Sequence, residues 1–225
     1  STAYNGTTTI NAGTLRVTRA GAVFSASTAP FTVNATGILA LNGALNSQFA
    51  PVVNLNGGTL LSDENSGFVV LNKVVNVTLD SILQTSGTGT TGYNSQLFAD
   101  AGINISSGMT LTYNPTTLNS GIVVRYNASS SGSLVINGVG TGSNTGRANL
   151  QFAAQNSGSS NFANTDLTLT NATMNVGVGT NGEPNSGATI KSLNGNGKVW
   201  ADTTAGNLTV GANNGTGSFS GVLAN

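Results

Sequence analysis

The sequence predicts an all-β protein, a parallel β-helix (β-solenoid) of about ten coils of about 23 residues each. Gly, Asn, Thr and Ser make up 117 of the 225 residues, and these residue types are poor in helix interiors. No window carries a sustained apolar stripe at helical spacing. Instead, a short alternating strand, a small polar corner and a second alternating strand recur along the chain.

The first repeat reads GTTTINAGTLRV, with Ile10 before the corner and Leu15 after it. Equivalent strand–corner–strand units continue to the end of the chain. Asn and Gly suit such corners because both tolerate positive φ angles, and stacked Asn side chains can form hydrogen-bonded ladders. The corner residues that we predict to be structural are Asn11, Gly13, Gly37, Asn56, Gly57, Gly58, Gly108, Gly132, Asn194, Gly195 and Gly197.

The spacing of the apolar residues that follow the corners predicts the kind of repeat. The gaps are 20–28 residues, apart from one gap of 40 that fits two turns with a weak unit near residues 149–152. One such coil cannot bury its own apolar face, so stacking must supply the core. The apolar residues that follow the corners are Leu15, Leu39, Leu60, Leu83, Leu111, Leu134, Met174, Val199 and Phe219. We predict that Ile10 and the six leucines of this series point inward, each leucine beside its equivalent in the next coil.

An antiparallel sandwich is the alternative fold, because it also has short strands and turn signals. Its connections should come every 8–12 residues, with strict alternation on both strands of each hairpin. The same corner type at a spacing of about 23 residues favours the coil. We therefore expect residues 1–225 to form a single β-solenoid domain, with ten coils making a rod on the order of 50 Å long.

Residues 4–17, YNGTTTINAGTLRV, resemble the autotransporter-associated β-strand repeat of type V secretion passenger domains. The segment from residue 192 to residue 225 is similar to the stretch that usually precedes such a motif, so the strong resemblance covers about a fifth of the chain. The resemblance implies a right-handed parallel β-helix exported to the bacterial cell surface. The motif positions matched are Tyr4, Gly6, Thr8, Ile10, Gly13, Thr14 and Leu15.

Composition excludes several classes of chemistry. The chain has no His and no Cys, which removes Ser-His-Asp and Cys-His nucleophiles, His-based metal sites, zinc clusters and disulfides. Zero net charge without a basic cluster argues against a nucleic-acid partner.

The longest apolar run, residues 68–71, is too short to span a membrane. A GxGxxG string at Gly87, Gly89 and Gly92 lacks the helix and the acidic residue of a dinucleotide site. We predict no catalytic, cofactor or metal site.

Two alternative functions stay open. A polysaccharide-degrading β-helix, tailspike-like or lyase-like, needs carboxylates clustered on adjacent coils. The candidates are Asp63, Asp80 and Asp100, which would otherwise be solvated turn residues. A glycan-binding module needs aromatic side chains aligned on one face, although such residues also pack in cores and at strand edges. Its candidates are Trp200, Tyr4, Tyr93, Tyr113 and Tyr126.

The interpretation that we favour is a non-enzymatic, elongated surface module, the stalk or fibre of a bacterial exported adhesin. Stacked coils give a rigid spacer, seven Lys and Arg leave few sites for trypsin-like proteases, and the lack of Cys avoids misoxidation during export. The expected partners are neighbouring coils, copies of the chain stacked end to end, and cell-surface or matrix glycans. Because the chain starts inside a motif and stops before one, we expect a segment or repeat unit of a longer protein, or a filament subunit.

Overall fold

The computed structural model describes residues 4–18, 27–42, 47–63, 68–86, 96–118, 120–124, 130–141, 148–152, 160–176, 187–201 and 207–224. These residues form short strands and a single turn of 3₁₀ helix at Ala212–Asn214. The strands of the first half are β1 (Thr8–Ile10), β2 (Gly13–Val17), β3 (Phe31–Asn34), β4 (Gly37–Leu41), β5 (Ser47–Phe49), β6 (Val53–Asn56), β7 (Thr59–Ser62), β8 (Phe68–Leu71), β9 (Val75–Leu79), β10 (Ser81–Thr85) and β11 (Gln96–Ala99). Those of the second half are β12 (Ile103–Ile105), β13 (Thr110–Asn114), β14 (Ile122–Val124), β15 (Ser133–Asn137), β16 (Leu150–Phe152), β17 (Ser160–Thr170), β18 (Thr173–Asn175), β19 (Ala188–Gly195), β20 (Lys198–Trp200), β21 (Leu208–Val210) and β22 (Val222–Ala224).

The strands assemble into three sheets. Sheet A has the order β1-β3-β6-β9-β12, sheet B the order β2-β4-β7-β10-β13-β15-β17-β19-β21, and sheet C the order β5-β8-β11-β14-β16-β18-β20-β22. The paired strands run parallel throughout. Successive strands of the chain therefore pass from sheet to sheet and return to the first one coil later. The protein is all-β and a parallel β-solenoid, as the repeat predicts.

The predicted number of coils is wrong. Sheet B contains nine strands in the described part of the chain, where the spacing predicted ten coils. Leu134 pairs directly with Leu167, so no separate coil lies in the gap for which the spacing predicts two turns, and residues 150–152 form a strand of sheet C. Met174 and Val199 also belong to sheet C, so the predicted series mixed two faces of the coil. At about 4.8 Å per coil, nine coils span about 40 Å.

A single core runs along the inside of the solenoid. Strands of sheets A and B alternate buried and partly exposed side chains, as expected when one face of a sheet lines the core. One contiguous apolar cluster extends from Ile10 in the first coil to Val199 in the eighth. Of the residues predicted to stack in the core, six are buried: Ile10, Leu39, Leu60, Leu83, Leu111 and Leu134.

Leu15 departs from the prediction because its side chain is 38% exposed. Its register is the expected one, since Leu15 pairs with Leu39. Within the described residues, the first coil has a neighbouring coil on one side only, so a residue there buries only the surface that faces the second coil. The position of Leu15 in the chain, and not the direction of its side chain, explains its exposure.

The predicted pairing of Leu83 with Leu111 is also wrong. Leu83 pairs with Tyr113, and Leu111 pairs with Ser81. Residues 106–109 separate β12 from β13, whereas residue 80 alone separates β9 from β10. The longer corner shifts the register by two residues. Because side chains alternate with a period of two, both leucines still point inward.

The predicted corner residues fall into two groups. One group lies at the turn into sheet B. Gly132 comes between β14 of sheet C and β15, and the other members follow a strand of sheet A: Asn11, Gly13, Gly37, Asn56, Gly57, Gly58 and Gly108. Gly57 adopts a φ of +89°, whereas at Gly37 a Cβ would lie 2.4 Å from a backbone oxygen of the preceding coil. The second group differs from the prediction, because Asn194 and Gly195 lie within β19 and Gly197 follows on the way to sheet C. Corners alike in sequence thus serve different turns of the coil.

Sheet C carries a second apolar cluster, on the face opposite the main core. Leu97 and Ala99 belong to the main core, and Phe98 between them belongs to the other cluster. In register, Phe98 lies beside Val70 and Val123, and its ring centroid is 4.6 Å from that of Phe68. Sheet C is therefore buried on both faces at these strands, unlike sheets A and B.

Candidate functional site

An asparagine ladder follows the corner between sheets A and B. The Nδ2 of Asn34 donates to Oδ1 of Asn11 at 2.7 Å, and the Nδ2 of Asn56 donates to Oδ1 of Asn34 at 2.8 Å. The hydroxyl of Thr78 continues the ladder by donating to Oδ1 of Asn56 at 3.3 Å. The amide groups thus bind one another from coil to coil. The ladder connects coils and presents no convergent set of groups to a substrate.

The candidate carboxylates lie at different corners of the coil. Asp80 precedes β10 of sheet B, and the hydroxyl of Ser86, just after β10, donates to Asp63 at 2.5 Å. Asp80 and Ser86 lie at opposite ends of β10, and six positions of extended chain place them about 20 Å apart. Because Ser86 contacts Asp63, Asp63 is also far from Asp80. Asp100 follows β11 of sheet C. A pair of carboxylates that hydrolyses a glycosidic bond must lie within about 10 Å of each other, so Asp63 and Asp80 do not form such a pair.

Asp63, in the third coil, instead belongs to a network that joins the first, third and fourth coils. Its carboxylate forms an ion pair with Arg16 of the first coil and accepts the hydrogen bond from Ser86 of the fourth. Ala40 is the register neighbour of Arg16 in the second coil and is fully buried, so the arginine reaches across that coil to the third. The arginine side chain is half exposed, and such a pair contributes no more than about 1 kcal/mol. We infer that this network holds the first coil against the coils that follow it.

A second polar cluster, which the sequence did not reveal, joins β17 to β19. Nζ of Lys191 lies 2.9 Å from Oδ2 of Asp166, and the hydroxyl of Ser192 donates to Oδ1 at 2.6 Å. Burial alone would raise the pKa of the Asp166 carboxyl, but the hydrogen bonds from Ser192 and Lys191 and the lysine charge outweigh it and lower the pKa. A carboxylate so stabilised is a weak base at neutral pH. The sequence alone does not show that these three residues meet, because their contact depends on the register between β17 and β19.

The aromatic candidates that the structure describes do not share a face. Tyr4 is exposed in the first coil, Trp200 is partly exposed in β20, and Tyr113 is buried in the core. The hydroxyl of Tyr113 lies 3.4 Å from that of Thr85. Burial raises the pKa of Tyr113 well above its usual range, and this hydrogen bond offsets only part of the effect. Some predicted positions lie outside the described residues: Gly87, Gly89, Gly92, Tyr93 and Tyr126.

A cavity of about 510 Å³ lies at the C-terminal end of the solenoid. Its walls are apolar side chains of the last three coils, among them Leu193, Val210, Phe219 and Leu223. Among the described residues that line it, none is ionisable, and the apolar walls offer space for an apolar group. The strand pattern contained no signal for this cavity, because it forms between coils.

The described residues include no group of three or more Asp, Glu, His or Cys side chains placed to hold a metal ion. They also include no helix with the length and apolar character needed to cross a membrane. Comparisons of the chain with protein-family models, with curated proteins and with solved structures found no match. A functional proposal therefore rests on the geometry of the solenoid and on the resemblance of residues 4–17.

Proposed function

We propose that this chain is a non-enzymatic, elongated structural module, the stalk or fibre of a bacterial exported surface protein. The observation that carries the proposal is the continuous parallel pairing from β2 to β21 around one core cluster. In such a solenoid each coil contacts only its neighbours, so length grows with coil number and the product is a rod. A rod serves as a spacer that holds a binding domain away from a surface.

The polar groups support a structural role. The asparagine ladder, the Arg16–Asp63 pair and the Asp166–Lys191 pair each join different coils. Their hydrogen-bonding groups are directed at one another across coils. Candidate carboxylates at different corners of the coil give no support to the polysaccharide-degrading alternative.

The N-terminal motif supports export to the cell surface, through its resemblance to autotransporter passenger repeats. Its residues form one local unit in the first coil. The Tyr4 hydroxyl lies 3.0 Å from the Thr8 hydroxyl, and its ring packs near Phe31 with centroids 6.4 Å apart. Gly6 lies beneath the tyrosine, where a Cβ would be 2.9 Å from the phenol oxygen. This contact gives a physical reason for the Tyr-x-Gly-x-Thr pattern at the start of a solenoid coil.

Distance measurements between spin labels would test the rod. Thr14, Thr112 and Thr168 occupy one outward column of sheet B, four and then two further coils apart. Because the chain has no Cys, cysteines at Thr14 and Thr112, or at Thr14 and Thr168, can be labelled selectively. We expect narrow backbone separations of about 19 Å and about 29 Å, unchanged by salt. Broad or equal separations would contradict the rod.

A parallel measurement tests the enzymatic alternative. The intact chain would be incubated with a panel of bacterial and host polysaccharides, and the product chain lengths would be measured. We expect no cleavage. Cleavage that disappears in the Asp63→Asn or Asp80→Asn variant would overturn the non-enzymatic proposal without affecting the spin-label result.

A further inference from the structure

Asn–Gly pairs are places where a polypeptide chain can modify itself without an enzyme. The backbone nitrogen of the glycine attacks Cγ of the asparagine side chain, the bond between Cγ and Nδ2 breaks, and the amide leaves as ammonia together with the N–H proton of the glycine. Water then opens the cyclic imide, which yields aspartate or isoaspartate. Glycine permits the attack because it has no Cβ to hinder the ring. A fold controls the reaction by holding or releasing the glycine N–H and the asparagine Nδ2.

The glycine N–H is held in three of the four Asn–Gly pairs that lie between described coils. The pairs are Asn56–Gly57, Asn137–Gly138, Asn194–Gly195 and Asn196–Gly197. The bonds run to the following coil, from Gly57 to Oγ of Ser81 at 3.0 Å, from Gly138 to the carbonyl of Thr170 at 2.9 Å, and from Gly195 to the carbonyl of Ser218 at 3.0 Å. Such a nitrogen must give up its hydrogen bond before it can attack, so these three pairs are protected.

The pair Asn196–Gly197 differs from the other three. In the described part of the chain, no residue accepts a hydrogen bond from the backbone N–H of Gly197 or from Nδ2 of Asn196. Asn196 is exposed. Its Oδ1 accepts the backbone N–H of Asn171, in the preceding coil, at 2.9 Å. A donor at this oxygen stabilises the negative charge that develops there when the nitrogen attacks Cγ.

Asn194, two positions earlier in the same corner, is a natural control for Asn196. Its Oδ1 also accepts a backbone N–H, that of Ser218, at 3.0 Å. Its Nδ2, however, donates to the hydroxyl of Ser192 at 3.1 Å, and the N–H of Gly195 is held as described. The two pairs have the same local sequence and the same kind of donor at Oδ1. They differ in whether the attacking nitrogen and the leaving amide are held.

We propose that, among these four pairs, Asn196 is the one that deamidates in the folded chain, and that the other three are protected by hydrogen bonds between coils. The inference goes beyond the proposed function and is independent of it. Gly197 is buried, so base reaches its N–H when the corner opens locally, and the folded chain should react more slowly than the unfolded one. An aspartate at position 196 still accepts the bond from Asn171, whereas isoaspartate adds a methylene group to the main chain just before β20.

Peptide mapping by mass spectrometry tests the proposal on the intact, folded chain after incubation at mildly alkaline pH. Cleavage after Lys191 and Lys198 releases one short peptide that contains both Asn194 and Asn196, and its fragment ions assign the product to one position or the other. We expect conversion at Asn196 to be faster than at Asn194 by on the order of tenfold, the factor that one hydrogen bond of ordinary net strength supplies.

The same chain unfolded in urea is the matched control. Both asparagines precede a glycine, so we expect them to convert at similar rates once the coils are lost. The Asn196→Gln variant keeps an amide at this position but disfavours the five-membered ring, and it should remove the fastest phase of ammonia release from the folded chain. Two results would overturn the proposal. One is conversion at Asn196 no faster than at Asn194 in the folded chain, and the other is an equal preference for Asn196 in urea.

Discussion

Replacing Leu60 by alanine tests the assignment of inward and outward side chains on sheet B. Leu60 is fully buried and lies in register between Leu39 and Leu83, while Leu61, next along the same strand, is partly exposed. Truncation at a fully buried leucine removes contact on all sides and leaves a cavity, at a cost of 2–5 kcal/mol, so we expect about 3 kcal/mol. The same truncation at Leu61 removes half-solvated surface and should cost less than about 1 kcal/mol.

The assay is urea unfolding followed by circular dichroism, with both variants and the natural chain measured in parallel. Because the two substitutions delete the same atoms from the same strand, their difference reports the facing of the side chain and little else. Leu60→Asp extends the series, since a buried unpaired carboxylate should cost several kcal/mol. Equal losses in Leu60→Ala and Leu61→Ala, or an unchanged Leu60→Asp, would refute the assigned register.

Four further substitutions probe one corner, the ladder and two ionisable groups. Gly37→Ala places a methyl group 2.4 Å from the carbonyl oxygen of Ile10, so we expect the unfolding midpoint to fall and the first coil to become more susceptible to proteolysis. Asn34→Ala removes one donor and one acceptor from the ladder, which should cost about 1–3 kcal/mol in urea unfolding. Burial raises the pKa of Tyr113, so as the pH rises the phenol loses its proton in the unfolded chain before it does in the folded one. The free energy of unfolding should therefore decline above about pH 10, by up to about 1.4 kcal/mol per pH unit. Tyr113→Phe should remove this decline in alkaline unfolding curves. The interactions that lower the pKa of Asp166 stabilise the fold above the unfolded pKa of about 4, and this stabilisation is lost as the pH falls further. Acid unfolding of Asp166→Asn should therefore be less steep.

The repeat shows which structural features a local sequence pattern can predict. Alternation with a period of two identified β-strands, and a spacing of about 23 residues identified coils, because both depend on what each short segment must bury. The inward direction of Leu39, Leu60 and Leu134 followed from that pattern alone. The exposure of Leu15 did not, since it depends on whether a neighbouring coil exists on each side.

Coil number and pairing needed the tertiary structure. Corners of different length, such as residues 106–109 and residue 80, shift the register by two residues without disturbing the alternation. The apolar pattern is then identical for either register, so Leu83 could not be assigned to Tyr113 from sequence. Met174 was assigned to the wrong sheet for a different reason: residues 171–172, which connect β17 of sheet B to β18 of sheet C, resemble in sequence the corners between sheets A and B.

The sequence by itself determined the fold class, the all-β character and the absence of His and Cys chemistry, because composition and short-range periodicity are properties of the chain alone. Only the tertiary structure decided which polar groups meet. Asp166 and Lys191 are 25 positions apart, and Arg16 and Asp63 are 47 apart, distances over which no local pattern operates. Contacts of this kind depend on the sum of the corner lengths between them. That sum is settled when all coils stack around one core.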